Sequence, residues 1–91
     1  MEGFFTVNHS HLATYLVYKT NIIPTFNERD GKLQWVFPYS AELKEYSKEY
    51  YDIFKNNKEY LVDLNGILGA LKIVMDVKSK YFRERKAIRE I

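Results

Sequence analysis

The stretch "NIIPTFNERDGKLQWVFP", residues 21–38, decides the fold class. Two β-prone runs flank Asp30-Gly31, a dipeptide that favours a tight hairpin turn. With those two residues as the loop, Phe26 falls opposite Trp35 and Pro24 opposite Phe37, so the large rings share one face. Pro24 has no N–H to give a ladder, so its strand is an edge or starts after the proline.

Working outward, "FFTVN" (residues 4–8) is rich in strand formers, and Asn8 or Ser10 can cap a helix through "HLATYLVYK". Leu12, Ala13, Leu16 and Val17 recur there at helical spacing and form its expected buried stripe. Downstream, Pro38 ends the second hairpin strand and Ser40 caps "AELKEYSKEYYDIFK". That segment is amphipathic, with Leu43, Tyr46, Tyr50, Ile53 and Phe54 on one side and Lys44, Glu45, Lys48 and Asp52 opposite. "NNKEY" breaks the pattern, and Asp63 is placed to cap a last helix running to the end of the chain. Its first half is apolar over a wide arc: Leu64, Ile67, Leu68, Leu71, Val74 and Met75, with Ala70, Ile73 and Val77 beside them. Such a helix is expected in the middle of the fold. The reading is a single α+β domain over residues 1–91: a small antiparallel sheet, made of a strand plus a hairpin, covered by helices and ending in a long C-terminal helix.

Eight Tyr, six Phe and one Trp supply ample apolar area for one packed core. The absence of cysteine excludes disulfides, thiol catalysis and Cys-liganded zinc, and suits a reducing cytoplasm. "MEGFFTV" has no basic segment before its apolar run and does not read as a secretory signal. "ILGALKIVM" contains Lys72 and is shorter than a membrane span. The expectation is a cytoplasmic protein without membrane contact.

No catalytic, phosphate-binding or nucleotide-binding motif occurs, so no enzyme activity and no cofactor are expected. His9 and His11 point in different directions at a helix start and have no Cys or close carboxylate to complete a metal site. Gly66-Ile67-Leu68-Gly69 has the spacing of a KH-domain Gly-x-x-Gly loop. The residues between its glycines are apolar and lie inside a helical pattern, which fits close helix packing and not a phosphate backbone. Glu45, Glu49 and Asp52 interleave with lysines as a solvated face. Tyr51 turns toward Lys44 and Ser47 at the edge of its helix, where it can anchor a protein interface.

Charge is uneven. From Lys72 onward seven basic and three acidic residues give +4, whereas the first 71 residues, with seven basic and nine acidic, give −2. A helix from Asp63 to Ile91 would run ~43 Å at ~1.5 Å per residue, against about 30 Å for a compact globule of this length. Residues 83–91 are therefore expected to project as a helical tail or dock on a neighbour. Ala70, Val74, Val77, Tyr81, Ile88 and Ile91 follow three-four spacing, interrupted by Glu84, as a seam that a second copy could use.

The order "FFTVN", "LATYL", a hairpin ending "WVF", and "YLVDLNGILGALKIVMDVKSKYF" resembles a small uncharacterised family of phage and prophage proteins from Gram-positive bacteria, over residues 4–82. The resemblance implies a phage-type accessory protein acting in a bacterial cytoplasm and supplies no activity. The expected function is then binding of a protein partner, such as a host factor that it inhibits, with self-association as a homodimer through the last helix. Tyr51, Tyr81, Arg83, Arg85, Ile88 and Arg89 are the candidate partner-binding residues. The alternative is a nucleic-acid-binding regulator using Lys72, Lys80, Arg83, Arg85, Lys86 and Arg89.

Overall fold

The computed structural model describes residues 3–89. They form three strands and three helices in the order β1 (Phe4–Val7), α1 (Ser10–Thr20), β2 (Thr25–Arg29), β3 (Lys32–Pro38), α2 (Ala41–Lys55) and α3 (Leu64–Arg89). The sheet is antiparallel with order β1-β3-β2, so the hairpin's second strand is central and β2 is an edge that begins just after Pro24. Arg29 pairs with Lys32, and Asp30 and Gly31 both take positive φ, at 54° and 78°. These values are those of a type I′ turn, whose twist matches the strands it joins.

Register and pleat put Phe5 and Val7 of β1 opposite Phe37 and Trp35, and Phe26 of β2 also opposite Trp35. Val7, Phe26, Trp35 and Phe37 are buried, while Phe4, Thr6, Thr25 and Asn27 on the other face are exposed. The result is one covered face and one wet face.

Both α1 and α3 lie on that face, α3 against Phe26 and Trp35. In α1 every residue from Leu12 to Val17 is buried, which includes the expected stripe and extends round the helix to Thr14 and Tyr15. The Thr14 hydroxyl avoids an unmet polar group by donating to the Ser10 carbonyl at 2.8 Å. The residue capping α1 is His9, not Asn8 or Ser10, and its side chain makes no capping bond. The other two caps follow the sequence reading. Ser40 Oγ accepts from the Leu43 amide at 3.4 Å, and Asp63 Oδ2 accepts from the Gly66 amide at 2.6 Å.

The expectation that the last helix occupies the middle of the fold is overturned, because α1 takes that place and both α2 and α3 pack on it. On α3 the buried residues are Ala70 and Val74, with Ile73, Val77 and Tyr81 half-buried behind them. Leu64, Leu68, Leu71 and Met75 are exposed. The cause is close approach. A Cβ at Gly66 would stand 2.8 Å from the Tyr18 ring, so the small-residue edge of α3 sits against α1 and its wide leucine face turns away. Gly69, read with Gly66 as a packing glycine, has nothing within 4 Å of its virtual Cβ. The Trp35 indole N–H donates to the Val74 carbonyl at 3.0 Å and fixes α3 to the central strand. At 26 residues α3 spans ~39 Å, within a molecule of 48 × 34 × 21 Å.

Candidate protein-binding surface

Burial falls along α2. Leu43 is fully buried, Tyr46, Tyr50 and Ile53 are half-buried, and Phe54 is 74% exposed despite its place on the expected core stripe. Phe54 stacks on Tyr50 with parallel rings 6.1 Å apart, and Tyr51 meets the Tyr50 ring edge-on at 5.4 Å. The three rings make an aromatic ridge. On one side lies a hollow of about 350 Å³ lined by Tyr15, Ile53, Tyr60, Val62 and Ile67 together with Tyr50 and Phe54 of the ridge. On the other lies one of about 340 Å³ that includes His9 and His11.

The segment joining α2 to α3 is tied down at both ends. Lys58 bonds through its amide to the Ile53 carbonyl at 2.9 Å and through its ammonium to Asp52 at 2.7 Å. This ammonium holds the Asp52 carboxyl below its ordinary range. Further along, the Lys19 ammonium donates to the Tyr60 hydroxyl at 2.5 Å, and the Asp63 amide donates to the Tyr18 hydroxyl at 2.9 Å. Leu61, 96% exposed, is held between these anchors.

Behind the segment, Lys19 lies 5.2, 5.4 and 5.8 Å from the ring centres of Tyr60, Tyr46 and Tyr15, a cation held by aromatic faces. Tyr15 donates its hydroxyl to Glu49. Burial first, then that bond, pushes the Tyr15 phenol far above its ordinary value. The Lys19–Tyr60 bond shifts its two members oppositely, lowering Tyr60 and raising Lys19. The cluster is a structural clasp between α1, α2 and the joining segment.

The structure scatters the candidate residues read from the sequence. Tyr51 is 47% exposed and belongs to the ridge. Tyr81 is packed on Phe26, their rings 5.2 Å apart, and serves the core. Arg85 pairs with Glu28 of β2, which raises its already high pKa, and donates to the Tyr81 hydroxyl at 3.2 Å. Arg83 is exposed. The proposed self-association seam is used within the monomer, since Ala70 and Val74 are buried and Val77 and Tyr81 pack on the core. The side chains of Lys86, Ile88 and Arg89, and the whole of Ile91, lie outside the described residues.

Among the described residues, the basic set does not form one patch. Lys72, Lys80 and Arg83 share an exposed arc of α3 with Asp76, which pairs with Lys72 at 3.0 Å, whereas Arg85 lies on another side of the helix. Among the described residues no three His, Cys, Asp or Glu side chains gather as a metal site, and no helix is long and apolar enough to cross a membrane. Phe54 and Leu61 are functional candidates that sequence reading missed. The available signal was the run "YLVDL" after the helix-breaking "NNKE", where apolar residues continue without a helical or strand period. No family model, curated protein or solved structure matches the chain.

Proposed function

We propose that this chain is a non-enzymatic protein-binding module that docks a partner on the ridge of Tyr51 and Phe54, with the exposed Leu61 of the segment joining α2 to α3 as a second apolar contact. The observation carrying this reading is the exposure of Phe54 at 74% and Leu61 at 96% on backbone held by bonds at Lys58, Tyr60 and Asp63. Burying a large apolar side chain contributes about 1.5–3 kcal/mol. A pre-positioned one also costs little ordering entropy on binding. Aromatic residues in such positions are typical anchors of interfaces, and the hollows beside Phe54 offer room for a partner's side chains. The resemblance to phage and prophage proteins points to a partner in a bacterial host, with inhibition of a host factor as its task.

The test is capture from a bacterial lysate by immobilised wild type and by Phe54→Asp, each with and without nuclease, after circular dichroism confirms that both fold alike. A protein retained through nuclease by wild type and lost with Phe54→Asp is the expected result. Retention by the variant would place the partner elsewhere. Material lost with nuclease would instead support nucleic-acid contact through Lys72, Lys80 and Arg83.

A further inference from the structure

The exposed face of α3 has a pattern of its own, distinct from the aromatic ridge. Leu64, Leu68, Leu71, Met75, Lys78 and Phe82 recur at alternating steps of four and three, the a and d spacing of a coiled-coil seam. Leu64 is 67% exposed, Leu68 51%, Leu71 36%, Met75 39% and Phe82 40%. Lys78 is the polar member, and its ammonium lies 5.9 Å from the centre of the Trp35 ring, which draws the charge off the seam and leaves the methylene stem along it. Lys72, Asp76, Ser79 and Arg83 border the stripe on its solvent side.

We propose that α3 pairs with α3 of a second copy in antiparallel orientation, along Leu64, Leu68, Leu71, Met75 and Phe82. Three observations select this occupant. The stripe is symmetric about the level of Ile73, so a twofold axis there sets Leu64 against the partner copy's position 82, Leu68 against 78 and Leu71 against 75. Each a position thus meets a d position, a self-complementary isologous contact. Charge then chooses the direction. Parallel pairing would lay the two basic C-terminal halves of α3 side by side, with Lys80 and Arg83 beside their own copies, whereas antiparallel pairing sets each basic half beside the partner copy's neutral first half.

Area is the third. Taken at roughly 150–250 Å² for a large side chain fully exposed, the five stripe residues leave on the order of 400 Å² in water. The borders at Lys72, Lys78 and Ser79 bring the covered surface to roughly 600 Å² per partner, the lower end of the range for a stable interface. This interface uses a different face of α3 from the core-packing residues Ala70, Val74, Val77 and Tyr81.

Light scattering over a concentration series tests the association. Wild type is expected to approach twice 10.9 kDa, and Leu71→Asp to halve that mass with an unchanged circular dichroism spectrum. Leu68→Glu serves as the second variant if Leu71→Asp fails to fold. A wild-type monomer at high micromolar concentration, or a dimer that survives a folded charged variant, overturns the proposal. Because the chain has no cysteine, orientation can be read by disulfide trapping. Leu64→Cys mixed with Phe82→Cys should crosslink, whereas self-crosslinking of Leu64→Cys alone would refute the antiparallel arrangement.

Discussion

Replacing Gly66 by Ala adds one methyl group where the space is already taken. Its Cβ would lie 2.8 Å from Tyr18 Cε1 and 3.0 Å from Asp63 Oδ2. Neither neighbour can give way freely, because the Tyr18 hydroxyl accepts the Asp63 amide and the Asp63 carboxylate caps the Gly66 amide. In a helix Ala is favoured over Gly by about 1 kcal/mol, while forcing a methyl group into filled space costs about 1–3 kcal/mol. The balance predicts Gly66→Ala to be destabilising by about 1 kcal/mol. Gly69→Ala, three residues on with open space around its virtual Cβ, should stabilise by about 1 kcal/mol. The two variants then differ by about 2 kcal/mol, or roughly 8–16 °C in Tm for a domain of this size. Thermal and urea unfolding at one protein concentration would measure this. If Gly66→Ala proves as stabilising as Gly69→Ala, the close approach of α3 to α1 at Tyr18 is wrong, and with it the reason the leucine face of α3 is exposed.

Trp35→Phe removes the indole bond to the Val74 carbonyl and leaves space at the junction of β3 and α3, so it should cost about 1–3 kcal/mol in urea unfolding; a loss under 0.5 kcal/mol would argue against that tether. Tyr15 holds its proton in the folded chain above the pH at which an unfolded tyrosine, of ordinary pKa 10.0, releases it. The unfolded state therefore binds fewer protons above about pH 10, and stability should fall as pH rises through that value. Tyr15→Phe should remove this part of the alkaline loss, and an unchanged slope of stability against pH in the variant would show that Tyr15 is not its source.

The hairpin was legible because its determinants are local. Asp30-Gly31 sets the turn, the turn sets the register of Phe26 against Trp35, and Pro24 limits where the edge strand can start. Ser40 and Asp63 were legible for the same reason, since a cap is a bond across three residues. At α1 the capping reading failed because the helix starts from His9 without any side-chain cap, and it is held by burial of residues 12–17 instead. Of the candidate binding residues, Tyr51 keeps an exposed place, whereas Tyr81 and Arg85 are engaged by Phe26 and Glu28 on a strand more than fifty positions away. Pairings at such separation leave no trace in local spacing.

The sequence by itself determined the α+β class, the number and order of the segments, and which side chains share a face of each helix. These follow from turn chemistry, capping and period, all properties of neighbouring residues. Only the tertiary structure decided which face of each helix met a neighbour. Leu64, Leu68, Leu71 and Met75 look more like core than Gly66, Ala70 and Val74 do, yet the latter face inward. A helix approaches closest along its small residues, and Tyr18 and Trp35 were positioned to meet that edge. Hydrophobicity records a side chain's preference for burial, while the geometry of packing selects which preferences are met.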